Sequence, residues 1–416
     1  MLTPSQVLTA ARFAGGLYRD RASTWWAGRV QGDQLSRLQL DGSADPYPIY
    51  TRMRAAGPIQ PTRLGNWSST SHAVCNQVLR SRSFGVREAE STVQRVQVDF
   101  DLSLLDKDPP GHHRLRRLAS PAFSPSRMAG YETMIESTVR ELVDRAVTRH
   151  EVDFVAAIGA PLPITVITTL LGVADADEAE FQRYGAAIGS ALDGLRSLRH
   201  AREVMTARSA LERLIADLVE RRRTEPGDDV ISLLVGELGD RLEPGELGPL
   251  CLLLLIAGFE TTVNLLGNAV LALAAHPEQW ALLRAEPHRA AAVVEEVLRY
   301  DAPVQQTARV AHTDGEVAGV LVTRGQWVIT LLGATGRDPE TYADPDRFDI
   351  TRTPKVEHLA FSSGIHYCLG APLARLEATI ALRVLAERAT SLQVVGPVEM
   401  RRSRTIRGPL RLPVRI

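Results

Sequence analysis

The sequence has few cysteines, few aromatic residues and almost no net charge. Its 416 residues include three cysteines, which are too few and too widely spaced to predict a disulfide framework or a zinc site. A net charge of −1 excludes the strongly basic surface of a nucleic-acid-binding protein and the acidic tail of a solvating segment. Hydrophobic residues make up 44% of the chain, enough for a large core, so an enzyme acting on small molecules is the expected class.

Long apolar runs are also missing. The most apolar stretch, 250–259, ends at Glu260, well short of the roughly 20 residues of a membrane span. The N-terminus lacks a basic segment followed by an apolar core, so neither a signal peptide nor an anchor is predicted and a cytoplasmic location is expected. Residues 1–44 form an N-terminal extension whose aromatic and arginine side chains could contact a membrane surface, although packing on the body or partial disorder is favoured.

Helical periodicity dominates the chain. A short hairpin is predicted at 59–70, around Gly65 and Asn66. Alternating residues after Tyr300 and near the C-terminus predict further short strands. The longer helical patterns cover 126–150, 161–171, 176–192, 198–224, 247–275 and 287–300.

One segment near the C-terminus is hard to explain by packing alone. It contains Phe361, Gly364, His366, Cys368 and Gly370, and it leads directly into an apolar helical pattern. A thiol at a helix N-terminus is expected to have a lowered pKa, because the free amides and the helix dipole favour an anion there. Such a thiolate can bind a soft metal, and the two glycines would let a flat cofactor approach the backbone closely.

This segment resembles the haem-binding loop of the cytochrome P-450 family, which has the same five residues at the same spacing. The resemblance implies that Cys368 is the axial ligand of the haem iron and that His366 contacts a haem propionate. It also implies a mainly α fold with small β-sheets, enclosing haem b. One domain of this kind is expected to cover residues 45–416.

A second motif lies inside the longest helical pattern. Ala257 and Gly258 are small enough to leave room for a ligand beside the backbone. Thr261 can donate to the carbonyl of Ala257, which is expected to bend or open the helix. Burying the carboxylate of Glu260 is costly unless it is paired or hydrated. The same pattern occurs in the central helix of the P-450 family, which implies that Glu260 and Thr261 are catalytic residues in proton delivery.

Further residues match cofactor and pocket positions of the family. His112 and Arg116 are four residues apart and so share one helix face. The resemblance implies that this pair and Arg309 hold the haem propionates. It also implies that Phe259 and Val304 line the substrate pocket.

Glu296 and Arg299 are three residues apart on a predicted helix and face each other. The family has a buried pair of this spacing, completed by an arginine from a later loop, which implies Arg347 here. These three residues are expected to be structural and not catalytic.

The resemblance implies a monooxygenase that inserts one oxygen atom from O2 into a C–H or C=C bond of a largely apolar small molecule. The sequence has no dinucleotide-binding glycine motif, so electrons from NAD(P)H are expected to arrive through a separate ferredoxin and its reductase. Arg114 and Arg117 are candidates for the docking face, although a solvated basic face is the commoner interpretation. A monomer is expected.

Two alternatives stay open at this point. The enzyme could use peroxide directly or couple phenols, although the Glu260 and Thr261 pair argues against dedicated peroxide use. It could instead be a haem-based sensor or carrier, for which Cys368 alone would suffice. Terpenoid, steroid, fatty acyl and polyketide substrates are all compatible with the sequence.

Overall fold

The computed structural model describes residues 4–41, 45–88, 102–173, 178–191, 194–195, 197–236 and 241–416. Most of this chain is helical. The α-helices of the described residues are α1 (Pro4–Trp25), α2 (Gln34–Asp41), α3 (Tyr47–Ala55), α4 (His72–Arg80), α5 (Gly111–Ala119), α6 (Pro125–Val147), α7 (Pro161–Leu171), α8 (Glu178–Ala191), α9 (Leu198–Thr224), α10 (Val230–Val235), α11 (Pro244–Ala275), α12 (Pro277–Ala285), α13 (Ala290–Tyr300), α14 (Leu332–Thr335) and α15 (Ala371–Arg388). Two π-helical turns, Trp26–Val30 and Val155–Gly159, extend α1 and precede α7.

The strands are short, and those of the described residues form four small sheets. They are β1 (Gln60–Pro61), β2 (Trp67–Ser69), β3 (Phe84–Gly85), β4 (Glu151–Asp153), β5 (Thr307–Ala311), β6 (Gly315–Val317), β7 (Val320–Val322), β8 (Trp327–Thr330), β9 (Gln393–Val394), β10 (Glu399–Met400), β11 (Pro409–Arg411) and β12 (Pro413–Arg415). The largest sheet has the order β1-β2-β8-β5-β3, with β2 and β8 parallel and the other neighbours antiparallel. The others pair β4-β12-β9, β6-β7 and β10-β11.

Local capping explains where several helices begin and end. The Ser197 hydroxyl accepts from the amide of His200 at 3.0 Å and starts α9. The carboxylate of Asp229 caps α10 in the same way, since it accepts from the amide of Ser232 at 2.7 Å. Gly172, with a φ of 76°, ends α7 in the left-handed conformation that glycine tolerates best.

Helix α11 runs through the main core and packs against α7, α8, α9, α13 and α15. Residues such as Leu250, Leu255, Leu266 and Ala269 are 0 to 1% exposed. By length and hydropathy, 245–275 also passes as a membrane-span candidate, and it is the one such helix among the described residues. Its most apolar window is 83% buried inside the protein, as expected for a core helix.

The N-terminal extension is partly described, since 1–3 and 42–44 lie outside the described residues. Leu35 and Leu38 of α2 are buried in a cluster with Tyr50 of α3 and Leu331, which precedes α14. Helix α2 therefore packs on the main body, and α1 packs against α2 and the π-helical turn.

Glu296 and Arg299 form a buried ion pair on α13, 4% and 2% exposed. Nε and Nη2 of Arg299 donate to the two carboxylate oxygens of Glu296 at 2.8 and 2.7 Å. Nη1 donates to the carbonyls of Gly336 and Pro345, and Nη2 also donates to the carbonyl of Arg347. All five guanidinium protons are thus used to join α13 to the loop that follows α14.

The expectation that the Arg347 side chain completes this pair is wrong. That side chain is 66% exposed and lies 3.7 Å from Asp349, while only the backbone carbonyl of Arg347 reaches Arg299. The second cation beside Glu296 is Arg352, which is 14% exposed and whose Nε lies 3.4 Å from the carboxylate. The loop turns the side chain of Arg347 outward, so Arg352, five positions later, occupies the buried position beside Glu296.

Candidate active site

Cys368 lies between a 3₁₀ turn, Gly364–His366, and the start of α15. Its amide donates to the carbonyl of Phe361 at 2.9 Å, which closes the loop, and one side of the residue is exposed. The surrounding protein nevertheless raises the pKa of the thiol by burial, which outweighs the opposing effects of the Gly370 amide and Arg116. The expectation of a lowered pKa for the free thiol is therefore wrong, and a bound metal's own charge would be needed to hold the thiolate.

The two glycines of the loop serve different purposes. Gly364 has a φ of 70°, and a Cβ there would lie 2.5 Å from the carbonyl oxygen of Leu79. Its missing side chain therefore allows packing against α4, and not the approach of a cofactor as expected. At Gly370 the nearest atom to an added Cβ is Cε1 of Phe123, at 3.9 Å, so this side of the loop is open.

Phe361 is fixed by a residue that sequence reasoning missed. The guanidinium carbon of Arg375 lies 4.6 Å from the centre of the Phe361 ring. The same guanidinium donates to Glu295 at 2.6 and 3.2 Å and to the Tyr367 hydroxyl at 3.0 Å. Arg375 thereby fastens the cysteine loop to α13 from the first turns of α15.

Two histidines meet beside this loop. The rings of His112, on α5, and His366 have centroids 4.2 Å apart. His112 is fully buried and the His366 side chain is 4% exposed, yet none of their four ring nitrogens has a hydrogen-bond partner. Burial, followed by nearby cations, lowers the pKa of His112 to about 4 and that of His366 to about 3. Both imidazoles are neutral groups with donors left unsatisfied.

Two arginines adjoin these rings. Arg309, on β5, is 5% exposed, and burial lowers its pKa to about 10. Its Nη1 donates to the carbonyl of Ala308 at 2.8 Å. In the part of the chain that the structure describes, no carboxylate lies within 4.0 Å of the guanidinium of Arg309 or Arg116. Arg309 is buried and Arg116 is half-buried, and with the orphaned ring nitrogens of His112 and His366 they fit the carboxylates of a haem beside Cys368.

Helix α11 is accessible at one point along its otherwise buried course. Ala257 is exposed and Thr261 is half-buried, whereas the residues around them are mostly buried. The hydroxyl of Thr261 donates to the carbonyl of Ala257 at 3.0 Å, as expected. The α-helix remains continuous here, so the expected opening of the helix is not present. A carbonyl has two lone pairs and can accept the hydroxyl and an amide together.

Gly258 and Phe259 have other neighbours than expected. A Cβ on Gly258 would lie 2.9 Å from Cδ1 of Ile167, so this glycine accommodates α7 and not a ligand. The Phe259 ring is 2% exposed and packs against Gly185 of α8. The expectation that Phe259 lines an open pocket is therefore wrong.

Glu260 is 5% exposed and forms an ion pair with Arg401, from the hairpin of β10 and β11. Burial raises the pKa of this carboxyl, although Arg401 and Asn264 act in the opposite direction. Asn264 also donates to the backbone carbonyl of Glu260 at 2.7 Å. The sequence carries no signal for Arg401, which lies far along the chain and reaches Glu260 only through the tertiary fold.

The remaining predicted residues divide between pocket and surface. Val304 is half-buried and forms an isolated β-bridge with Ile406. Arg114 is bound within the protein, because its Nη1 donates to Glu246 at 2.8 Å and to the carbonyl of Arg241 at 2.9 Å. Of the two proposed docking arginines, Arg117 is the exposed one.

Comparison with known proteins identifies the family. The family model described as cytochrome P450 matches residues 69–388. The 6-deoxyerythronolide B hydroxylase of Saccharopolyspora erythraea is 37% identical over 398 residues, covering 89% of this chain and 96% of that protein.

Solved structures of the same family have similar folds. Mycobacterium smegmatis CYP164A2 in its ligand-free state has a TM-score of 0.86 at 41% identity, covering 92% of this chain and 99% of that one. P450BioI in complex with a hexadec-9Z-enoic acid ligated acyl carrier protein has a TM-score of 0.84 at 36% identity, covering 89% and 98%. The predicted mainly α fold is confirmed, as are haem b, O2 and NAD(P)H-derived electrons delivered by redox partners. The chain is an oxidoreductase that belongs to the cytochrome P450 family.

Proposed function

We propose that this monooxygenase inserts one oxygen atom from O2 into a C–H or C=C bond of a largely apolar small molecule. When bound, haem supplies the activation of O2 at its iron. The protein holds the cofactor, positions the substrate, excludes water and delivers protons. Cys368 would ligate the haem iron, and its position is set by the hydrogen bond from its amide to the carbonyl of Phe361 and by the contact of Arg375 with the Phe361 ring.

His112, His366, Arg116 and Arg309 hold the haem carboxylates. This is the observation that carries the proposal, since four cationic or donor groups meet beside Cys368 and the histidine nitrogens have no partner. An anion placed there would satisfy those nitrogens once they carry protons and would neutralise the two arginines. Ala257 and Thr261, the open residues of α11, lie across the cofactor from Cys368 in this proposal.

Proton delivery is assigned to Glu260 and Thr261. The raised pKa of Glu260 allows it to hold a proton closer to neutral pH than an exposed glutamate does. Its ion pair with Arg401 keeps the carboxylate in place between transfers. The Thr261 hydroxyl, bonded to the Ala257 carbonyl at 3.0 Å, is the group nearer the open part of the helix. A dedicated peroxide-driven enzyme or a sensor would not need this pair.

Substrate, partners and location remain part of the proposal. Val304 is half-buried, unlike the buried Phe259, and is proposed to line the substrate pocket. The family resemblance favours an apolar ligand. A separate ferredoxin with its reductase supplies the electrons, with Arg117 on the docking face. The enzyme is proposed to act as a monomer in the cytoplasm.

An optical titration of the ferric holoprotein tests the proposal. Terpenoids, steroids, fatty acids and polyketides are added in turn while the Soret band is followed for a low-spin to high-spin shift. A saturable shift with one class supports an apolar substrate that displaces the iron-bound water. Cys368→Ala should lose the thiolate spectrum, with Cys75→Ala, a buried cysteine elsewhere, as the matched control. A thiolate spectrum that survives Cys368→Ala would contradict the ligand assignment.

A further inference from the structure

The guanidinium of Arg375 lies beside the loop that carries Cys368. Its Nε and Nη2 donate to the two carboxylate oxygens of Glu295 at 2.6 and 3.2 Å, and its Nη1 donates to the Tyr367 hydroxyl at 3.0 Å. The guanidinium carbon also lies 4.6 Å from the centre of the Phe361 ring, within the range of a cation–π contact. The side chain is 28% exposed. A cation is thus fixed against residues on both sides of the cysteine.

Glu295 is the ionised partner of this cation. Nε2 of His358 donates to its carboxylate at 3.2 Å, and Nδ1 of the same ring accepts from the amide of Ala360 at 3.3 Å, so the imidazole is neutral. Burial alone would raise the pKa of Glu295, but the hydrogen bonds from His358 and Arg375 outweigh it and lower the pKa to about 2. Glu357 lies 3.6 Å from the guanidinium, but its side chain is 61% exposed and water screens its charge.

The two charges of this ion pair meet the cysteine loop differently. Arg375 contacts the side chains of Phe361 and Tyr367 directly. The hydrogen bonds of the Glu295 carboxylate go instead to Arg375 and to His358, which precedes the loop. Burial raises the pKa of the Cys368 thiol, and Arg375 is a cation that acts against burial. The positive charge of the pair is therefore the one that acts on the sulfur.

We propose that Arg375 is a positioning residue that raises the reduction potential of the haem bound at Cys368, and that Glu295 limits this effect. When ferric haem accepts one electron from a reduced iron–sulfur donor, the site gains one negative charge and no protein bond is made or broken. A cation beside the thiolate lowers the energy of the ferrous form more than that of the ferric form. The inference rests on the role of Cys368 as haem ligand in the proposed function.

An electrostatic role and a purely mechanical role make different demands on the side chain at position 375. Lysine keeps the positive charge but cannot reproduce the two parallel bonds to Glu295. Methionine has a similar length and neither property. A role in holding the loop alone needs the bonds, whereas a role in setting the potential needs the charge.

Midpoint potentials of the holoprotein, measured by optical redox titration without substrate, test the proposal. Arg375→Met should shift the equilibrium towards ferric haem by about three- to tenfold, and tenfold is about 59 mV for one electron. Arg375→Lys should recover most of that shift. Glu295→Gln removes the carboxylate that limits the effect of the cation, so it should shift the equilibrium in the opposite direction, towards ferrous haem.

A matched control is available on the same helix. Arg383, also on α15, has a side chain that is 27% exposed and is paired with Glu136 at 3.0 Å and Glu387 at 3.2 Å. Arg383→Met should keep the wild-type potential. Circular dichroism and the thiolate spectrum show which variants are folded and hold haem, and if Arg375→Met does not, the lysine and Glu295→Gln variants decide the test.

Three results would overturn the proposal. One is an unchanged potential in Arg375→Met and Glu295→Gln. Another is a shift in Arg375→Lys as large as that in Arg375→Met, and the third is a shift of Glu295→Gln in the same direction as Arg375→Met, because loosening of the loop would then be the cause. A wild-type protein without the thiolate spectrum would instead refute the ligand role of Cys368, whereas unmoved potentials with that spectrum present refute this inference alone.

Discussion

Replacing Arg299 by leucine should lower the free energy of unfolding by about 3 to 5 kcal/mol, the usual cost of breaking a buried ion pair. The structure gives the reasons. Glu296 would stay 4% exposed with only Arg352 and the amide of Asp349 to offset its charge. The carbonyls of Gly336, Pro345 and Arg347 would lose a donor at the same time.

The expected change in melting temperature follows from the chain length. At about 2.1 cal/mol/K per residue, unfolding 416 residues has an entropy of about 0.9 kcal/mol/K, so the midpoint should fall by about 3 to 6 °C. Thermal unfolding of the holoprotein, followed by far-UV circular dichroism and by the Soret band, measures this change.

Two further variants identify the second cation beside Glu296. Arg352→Leu removes a side chain that is 14% exposed and 3.4 Å from the carboxylate, and it should cost about 1 to 3 kcal/mol. Arg347→Leu removes a side chain that is 66% exposed and keeps the backbone carbonyl, so it should cost about 0.5 kcal/mol or less. If Arg347→Leu destabilises the protein as much as Arg352→Leu does, the assignment of the buried network is wrong.

Three other substitutions address proton delivery and burial. Thr261→Ala should keep haem binding but divert electrons into peroxide, seen as less product per NAD(P)H consumed. Thr262→Ala is the control, because Thr262 is 2% exposed and its hydroxyl donates to the carbonyl of Gly258, so this variant should stay coupled. Full coupling in Thr261→Ala would refute the role of Thr261. Arg401→Gln should raise the pKa of Glu260 further, because the effect of burial is then opposed only by Asn264. The pH profile of coupled turnover should therefore shift to higher pH, while Arg402→Gln, at an exposed arginine, should leave it unchanged. An unshifted profile in Arg401→Gln would contradict the pairing. Glu377 is 2% exposed, its Oε2 has no partner, and burial raises its pKa well above 4.5. The folded state therefore keeps a proton that the unfolded state loses, and stability falls as pH rises above about 4.5. Glu377→Gln should flatten that fall in denaturant midpoints, and an unchanged slope would refute the reasoning.

The sequence was most informative where local chemistry determines structure. Helices α7 and α9 have the predicted bounds, because Gly172 ends the first and Ser197 caps the second. The spacing of His112 and Arg116 places both residues on α5. The Thr261 bond to Ala257 is likewise a contact between neighbouring turns of one helix.

Contacts between distant segments could not be read from the sequence. Arg401 reaches Glu260 only because the β10-β11 hairpin packs beside α11. Arg352 replaces the expected Arg347 because the loop turns one arginine outward, which spacing alone does not determine. For Gly258 the motif was recognised but the physical reason differs, since its neighbour is Ile167 of another helix.

Turnover under ¹⁸O2 tests the central claim most directly. The holoprotein is supplied with a surrogate ferredoxin, its reductase, NAD(P)H and a compound that gives the spin-state shift. We expect a product with one ¹⁸O atom, formed in proportion to the NAD(P)H consumed. A product whose added oxygen comes from water, a coupled dimer without added oxygen, or NAD(P)H use that yields only peroxide would contradict it.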